Sequence, residues 1–593
     1  MNELTLSWVR QFYVAGGTPR SLCAQIGKTI DQHIDNPIWI YRLSEAELEP
    51  YFDRLERVSD MALPLWGVPF AIKDNIDLCG VPTTAACPEF SYLPNQSATV
   101  VERLIEAGAI PIGKTNLDQF ATGLNGTRSP FGAVANAFDS RYISGGSSSG
   151  SAVAVALNMV CFSLGTDTAG SGRVPAAFNN LVGLKPTLGL VPSSGVVPAC
   201  RSLDCVSIFA NDVDTASAVL SVAEGYDEND PFSDVTPDAN HAREEGYRDG
   251  VLTLGVIAPE QLEFFGDSDY EQAYKAVLER FESDSTVVLK HIDFVPFQEA
   301  AALLYAGPWV AERTLACDLP LRDYPEQMHP VVRKIIEAGK AYSAIDTFAA
   351  QYQLRQLKRR CDQQMAACDA LLTPTAGRCF SREELSQEPI EYNTHLGYYT
   401  NYMNLLDYAG LALPAGLTTH GLPFGVTLVA PRHGDRALLS IARRLCLGLI
   451  DQPAPKRVGD PRYLDVLVCG AHMQGLPLNW QLLERGGYYL ESVQTADCYR
   501  LLALPGGAIR RPALVIAPHG GATVGAELWR LPIATVGSFL RDIPAPLGLG
   551  EVTLSDGRRV KGFIAAAGGI DPEADDVTQF GDWRSYLNHI GSA

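Results

Sequence analysis

The chain has 593 residues, of which 46% are hydrophobic and 19% charged, and a formal net charge of −21. That is ample apolar mass for a packed core and enough length for two or three domains, while the acidic balance argues against nucleic acid and anionic membrane as partners. The 13 cysteines are scattered without a CxxC pair, so they read as reduced thiols of a cytoplasmic protein rather than a disulfide framework or a metal site.

The opening segment, MNELTLSWVRQFYVAGG, lacks a basic start followed by an apolar run, and no signal peptide is expected there. Residues 1–60 alternate apolar and charged positions at helical spacing, as in Glu45–Leu55, and are expected to form a helical N-terminal part. Amphipathic helices there would suit a homodimer contact. From Leu65 to about Arg201 the composition shifts to Gly, Ser, Ala and Thr, with VPFAIK (68–73) and AIPIG (109–113) read as buried strands. Gly108–Thr115 satisfies GxxxxGK[ST], but its intervening residues are apolar and Pro111 has no N–H. It is read as a strand, not as a phosphate loop. The apolar stretch Ser151–Gly165 is shorter than the roughly 20 residues needed to cross a bilayer and reads as a buried helix running into a strand.

Asp227–Gly250 is charged and contains proline, the pattern of an exposed excursion. Strand–helix alternation resumes with LGVIAP (254–259), a helix near 268–283, VVLKHIDFV (287–295), a long helix over about 342–366 and ALLTPTA (370–376). A last helical pattern ends near Ile450. The segment 451–462, rich in Pro and charge, is read as a linker between a catalytic domain at 1–450 and a second domain at 463–593. In that second domain the runs YLDVLVCG, YYLESVQ, RLLALPG, PALVIAP and EVTLSDGRRVKGFIAA, with a turn signal at Ser555-Asp556-Gly557, predict a small β-rich fold.

The chemistry is concentrated in residues 140–176, SRYISGGSSSGSAVAVALNMVCFSLGTDTAGSGRVPA, where two Ser/Gly patches flank the apolar helix. Glycine lets backbone N–H groups converge on a ligand, and serine in such turns suits nucleophilic catalysis beside an oxyanion hole. Gly146–Gly150 also fits GxSxG around Ser148, but no apolar strand directly precedes it and no histidine stands in a triad context. Lys73 closes an apolar run, so it is either a strand-end lysine reaching solvent or a buried amine with a lowered pKa.

Gly145-Gly-Ser147-Ser-Ser-Gly-Ser151 and Gly165-Thr-Asp167-Thr-Ala-Gly-Ser171-Gly-Arg173-Val-Pro-Ala, together with AIKDN (71–75), resemble the signature of the amidase signature family. The resemblance runs from about residue 20 to 448 and includes IGKTNLDQFA (112–121), GLKPTLG (183–189) and GLPFGVTLVAP (421–431). Ala169 departs from the family's usual glycine but keeps its N–H. The resemblance implies an α/β fold with a large mixed twisted sheet flanked by helices on both sides. It also implies a Ser–cisSer–Lys triad: Ser171 as nucleophile, Ser147 after a cis peptide bond as the bridge, and Lys73 as the base. The N–H groups of Thr168, Ala169, Gly170 and Ser171 would form the oxyanion hole. No metal or organic cofactor is implied.

Within the family, Tyr305-Ala-Gly-Pro-Trp-Val-Ala-Glu-Arg313 resembles the segment with which allophanate hydrolases hold a substrate carboxylate, Tyr305 and Arg313 being the binding residues. The loop Ala121–Pro130 is similar to one lining that site, where Gly123 and Asn125 would touch substrate. VLVCGAHMQGLPLN and TVGAELWRLP look like the extra C-terminal domain of those enzymes, which distantly resembles the γ-glutamylcyclotransferase fold. That fold's acidic catalytic residue has no counterpart in LRDIPAPLG, and His472 is the polar candidate instead. The expected activity is hydrolysis of allophanate to ammonia and carbon dioxide through N-carboxycarbamate, supplied by a urea carboxylase or a biuret hydrolase. The alternatives are another small-amide amidase, a glutamine-dependent tRNA amidotransferase A subunit, or a non-catalytic scaffold whose C-terminal domain binds a partner.

Overall fold

The computed structural model describes residues 4–58, 63–234, 250–445, 463–506, 509–517, 520–555, 557–565 and 574–591. The chain divides into two compact units, Met1–Lys456 and Arg457–Ala593. The proposed linker at 451–462 and the helical pattern over 446–450 lie outside the described residues.

The first unit is built on one sheet of 11 strands. In chain order these are β1 (Trp39–Arg42), β2 (Pro69–Lys73), β3 (Ile110–Thr115), β4 (Phe162–Asp167), β5 (Val182–Lys185), β6 (Cys205–Ala210), β7 (Leu252–Ile257), β8 (Val287–Ile292), β9 (Ala370–Pro374), β10 (Tyr408–Leu417) and β11 (Pro423–Pro431). Their order across the sheet is β1-β3-β2-β4-β6-β5-β10-β11-β9-β7-β8. β2 lies parallel to both β3 and β4, whereas β6 runs antiparallel to β4. Every residue of β2, β3 and β4 is buried, as continuous apolar strands covered on both faces should be. The Gly108–Thr115 motif is therefore strand β3. Ser151–Gly165 splits, as its composition predicts, into a helix at Ser149–Ala156 and strand β4.

Two local readings are revised. The N-terminal part has helices at Leu6–Val14, Pro19–Asp31 and Glu45–Glu56, but it also supplies the edge strand β1, which pairs with β3. Only four residues long and half-buried, β1 is too short to show an alternating pattern. The start of the 227–250 segment is tied down rather than free: Asp227 accepts from the Thr99 hydroxyl at 2.7 Å and Asp230 from the Ser193 N–H at 2.7 Å. Residues 235–249 lie outside the described part. Every cysteine among the described residues is free, and no described helix is long and apolar enough to cross a membrane.

The second unit contains a five-stranded sheet, ordered β13-β16-β12-β18-β17, and a three-stranded sheet, β15-β14-β19. Its strands are β12 (Tyr463–Val468), β13 (Tyr488–Gln494), β14 (Tyr499–Ala503), β15 (Pro512–Ile516), β16 (Gly525–Pro532), β17 (Leu547–Thr553), β18 (Arg559–Ala565) and β19 (Asp575–Asp576). β17 and β18 form the hairpin anticipated around residues 555–557, although Asp556 itself is not described. β16 lies between β13 and β12 and buries Trp529, which belongs with Trp583 to this unit's own core.

In the first unit the topology fixes the site. Lys73 ends β2 and Asp167 ends β4, so both emerge at the carboxyl edge of adjacent parallel strands, where open α/β sheets bind ligands. Antiparallel β6 begins at that same edge, with Cys205 opposite Asp167, and so brings the preceding loop 199–204 there. The turn after β4 lies close against β5: a Cβ on Gly183 would stand 2.3 Å from the Gly172 carbonyl oxygen and 2.5 Å from Ala176 Cβ. Gly183→Ala is expected to destabilise the unit by roughly 1–3 kcal/mol through overpacking and to lower kcat by shifting the Ser171 turn. An unchanged melting temperature and an unchanged rate would show that the turn does not depend on this contact.

Candidate active site

Lys73 is fully buried at 0% exposure. Its Nζ lies 2.8 Å from Ser147 Oγ and 2.7 Å from Thr166 Oγ1. Burial pushes its amine down to about 7, against the opposing pull of the Asp118, Asp204 and Asp167 carboxylates. The peptide bond Gly146–Ser147 is cis. Around it, the other serines of the patch bond to backbone and neighbouring strands. Ser148 Oγ donates to the Thr166 carbonyl at 3.1 Å, Ser149 Oγ to the Asn116 carbonyl at 3.3 Å and Ser151 Oγ to the Leu164 carbonyl at 2.9 Å.

Ser171 is buried on the turn that follows β4, and its hydroxyl donates to the Gly123 carbonyl at 3.5 Å. It makes no direct hydrogen bond to Ser147 in this state. The turn is anchored by Asp167, whose carboxylate accepts the N–H groups of Gly170 and Gly172 and the Nε and Nη2 of Arg173, all at 2.9 Å. Burial raises the Asp167 carboxyl, but Arg173, joined by Lys185 and the Gly172 N–H, more than reverses this and holds it below its ordinary value. Asn404 locks the outer side, its Nδ2 donating to the Asp167 and Leu203 carbonyls at 2.8 and 2.9 Å. Gly170 has φ +137°, and a Cβ there would meet Thr400 Oγ1 at 2.5 Å, so glycine is required.

The anchoring narrows the expected oxyanion hole. The Gly170 N–H is committed to Asp167 and is not available to a substrate, whereas the N–H groups of Thr168, Ala169 and Ser171 meet no acceptor among the described residues. Unpaired buried amides are rare in folded proteins, and three in one turn make a ready donor cluster for a developing anion.

Arg313, on the helix Trp309–Ala316, is 1% exposed. Its Nη1 donates to Thr122 Oγ1 at 3.2 Å and its Nη2 to the Tyr305 hydroxyl at 3.4 Å, while Nε is unpartnered. The guanidinium lies over the Tyr305 ring, 5.3 Å from its centroid, and forms no ion pair among the described residues. It is thus not the surface arginine paired with a neighbouring acid that an exposed helix would carry. A buried cation without a counter-ion is costly, and this one stands beside the loop that also reaches Ser171. Gly123 touches Ser171 through its carbonyl. Asn125 is turned to the loop itself, accepting from Thr127 N–H at 2.9 Å and donating to Asn393 Oδ1 at 2.8 Å. Its side chain is engaged in holding the loop, so contact with substrate is not what the geometry supports.

Several residues of the site carry no sequence signal of their own. Thr166 is hidden inside a buried strand. Asp118 shapes the 123–128 loop by accepting from the N–H groups of Asn125, Gly126 and Arg128 at 3.2, 3.0 and 2.9 Å. Asp204 accepts the Thr168 hydroxyl at 2.5 Å and the Ala199 N–H at 2.8 Å, and burial raises its carboxyl. In the second unit, His472 stacks on Phe563 with ring centroids 5.0 Å apart and meets Gln481 Oε1 through Nε2 at 2.9 Å. Burial lowers its pKa, and Arg511 and Asp542 line the same small cavity.

Residues 34–439 match the amidase family, and residues 464–588 match the allophanate hydrolase C-terminal domain. The chain is 41% identical over 582 residues to the urea amidolyase of Lachancea kluyveri, covering 94% of this chain and 31% of that protein. It spans about a third of the length of the curated urea amidolyases it matches. Its structure is similar to the allophanate hydrolase of Kluyveromyces lactis, with a TM-score of 0.70 and 37% identity over 98% of each chain. The A subunit of the glutamyl-tRNA(Gln) amidotransferase of Acidobacterium capsulatum is 33% identical over 414 residues, 65% of this chain and 86% of that protein.

Replacing Arg173 tests the anchor. Arg173→Met leaves the Asp167 carboxylate buried with only two N–H donors and is expected to destabilise the first unit by about 3–5 kcal/mol. Urea denaturation followed by tryptophan fluorescence measures this, and a loss below about 1 kcal/mol would assign the anchoring to Asn404 instead.

Proposed function

The chain belongs to the amidase family, and from that membership and the geometry of its site we propose that it hydrolyses allophanate (urea-1-carboxylate) through an acyl-enzyme on Ser171. The observation that carries the substrate is Arg313: a buried guanidinium with no ion pair among the described residues, bonded to a tyrosine hydroxyl and to Thr122, whose neighbour Gly123 accepts from Ser171. A substrate carboxylate supplies the missing partner, since arginine presents a planar fork matched to it. The C-terminal match to allophanate hydrolases supports the same substrate over the tRNA amidotransferase reading.

In this mechanism neutral Lys73 takes the proton of Ser147 as Ser147 takes that of Ser171. Ser171 Oγ, turned from the Gly123 carbonyl toward Ser147, attacks the carbonyl carbon that bears the NH2 group. The resulting oxyanion is held by the N–H groups of Thr168, Ala169 and Ser171. The proton returns through Ser147 to the leaving nitrogen, ammonia departs, and water cleaves the acyl-enzyme by the same relay. The product, N-carboxycarbamate, loses carbon dioxide to give carbamate, which yields ammonia and a second carbon dioxide. His472 in the second unit is the candidate for handling that first product. The proposal extends to a cytoplasmic homodimer fed with allophanate by a urea carboxylase or a biuret hydrolase.

Ammonia release by the purified chain and by Arg313→Ala, from allophanate and acetamide, tests the substrate. The expected result is a strong wild-type preference for allophanate that falls at least tenfold in the variant. Equal rates on the two amides would leave an amidase with a different substrate.

The pH profile tests Lys73. Its charged form dominates below about pH 7, so kcat/KM should fall as pH drops through that value. The same shift sets a stability slope: the folded amine titrates near 7 and an unfolded one near 10.5. Between those values the unfolded state binds the extra proton, so stability rises with pH across that window. Lys73→Met should abolish activity and flatten the stability slope, and an unchanged slope would place the titrating group elsewhere.

A further inference from the structure

The guanidinium and the nucleophile are tied together from two sides. On one side, Arg313 Nη1 donates to Thr122, and the next residue's carbonyl accepts from Ser171. On the other, loop 199–204 bridges the oxyanion turn to the helix that carries Arg313. Asp204 fastens the loop to Thr168 Oγ1 at 2.5 Å. Glu312, the neighbour of Arg313, fastens the helix to the loop: it accepts the Ser202 N–H at 2.7 Å, the Ser202 hydroxyl at 2.7 Å and the Cys200 thiol at 3.1 Å. Burial and the adjacent Glu312 carboxylate push the Cys200 thiol up, so it stays protonated and donates.

Hydrogen bonds to a carboxylate are stronger than neutral ones, and three converge here on Glu312 from Cys200 and Ser202. From this juxtaposition, and resting on the carboxylate-binding role of Arg313, we infer that Glu312 is a specificity-determining positioning residue. By holding the Trp309–Ala316 helix to loop 199–204, it fixes the distance between the Arg313 guanidinium and the oxyanion donors. The site therefore selects amides whose carboxylate stands one atom from the reacting carbonyl. Glu312 touches no substrate; it sets the length of substrate that Arg313 and Ser171 can engage together.

The test compares malonamate, which shares that spacing, with succinamate, one methylene longer, and with acetamide, which has no carboxylate. Glu312→Ala should raise the KM for malonamate roughly tenfold or more, about the worth of one charge-assisted hydrogen bond, with kcat little changed. It should leave acetamide turnover unaltered and shrink the malonamate-to-succinamate preference. Glu312→Gln, which still accepts the Ser202 N–H, should restore most of the preference. Ser202→Ala, a change at an exposed residue that removes one of the three bonds, should show the same pattern in weaker form and serves if the Glu312→Ala variant does not fold. Variants that retain the wild-type length preference, or that lose acetamide and malonamate turnover in equal measure, overturn the inference while the carboxylate reading stands. A wild-type enzyme that prefers neither malonamate nor succinamate to acetamide overturns the carboxylate reading itself, and the inference with it.

Discussion

The site depends on an amine kept in a place where its charge is poorly tolerated. Lys73 sits at the end of a wholly buried strand, and desolvation brings its pKa to about 7. Three carboxylates in the region pull the other way, so the balance is set by how completely water is excluded. The surrounding elements maintain that exclusion: strands β3 and β4 flank β2, the Ser149–Ala156 helix lies against them, and the Ser148 and Ser151 hydroxyls bond to the β4 backbone. A lysine at a solvent-exposed strand end would keep its ordinary high pKa and stay charged at neutral pH.

Arg313 is the counterpart. It too is buried, but a guanidinium does not lose its proton, so burial leaves a cation that bonds neutral hydroxyls and forms no ion pair among the described residues. In the proposed function the two groups divide the work by chemistry: the one that can be neutralised bonds Ser147, and the one that cannot would meet the substrate carboxylate. Asp167 and Arg173, by contrast, form a buried ion pair whose remaining hydrogen bonds go to Gly170, Gly172, Thr400 and Asn404, and this network anchors the Ser171 turn. Three buried charged arrangements within one site thus serve three ends because their hydrogen bonding differs.

The second unit has its own core around Trp529 and Trp583 and its own sheet. It also sets the chain apart from the tRNA amidotransferase, whose likeness covers 65% of this chain. His472 packs against Phe539 and Phe563 and bonds to Gln481, and burial lowers its pKa.

The sequence by itself determined the family and most strands of the sheet, and it proposed the residues of the reacting centre, because these lie in contiguous signatures or in apolar runs whose burial is written locally. Ser147, Ser171 and Lys73 were singled out by the resemblance of their segments to the amidase signature, since glycine-rich turns and a lysine-ended apolar run left their roles open. What it could not determine was which polar groups are free. Whether Gly170 offers its N–H depends on where Asp167 points, whether Asn125 meets a ligand depends on Asn393 from 268 residues away, and whether Arg313 is paired depends on what the fold brings to it. Edge strand β1 and the Asp204–Glu312 clasp were likewise decided only by tertiary structure. A hydrogen bond between distant segments leaves no periodicity in either one, and burial, which fixes the charge on Lys73 and the need of Arg313 for a partner, belongs to the packed sheet and not to any stretch of chain.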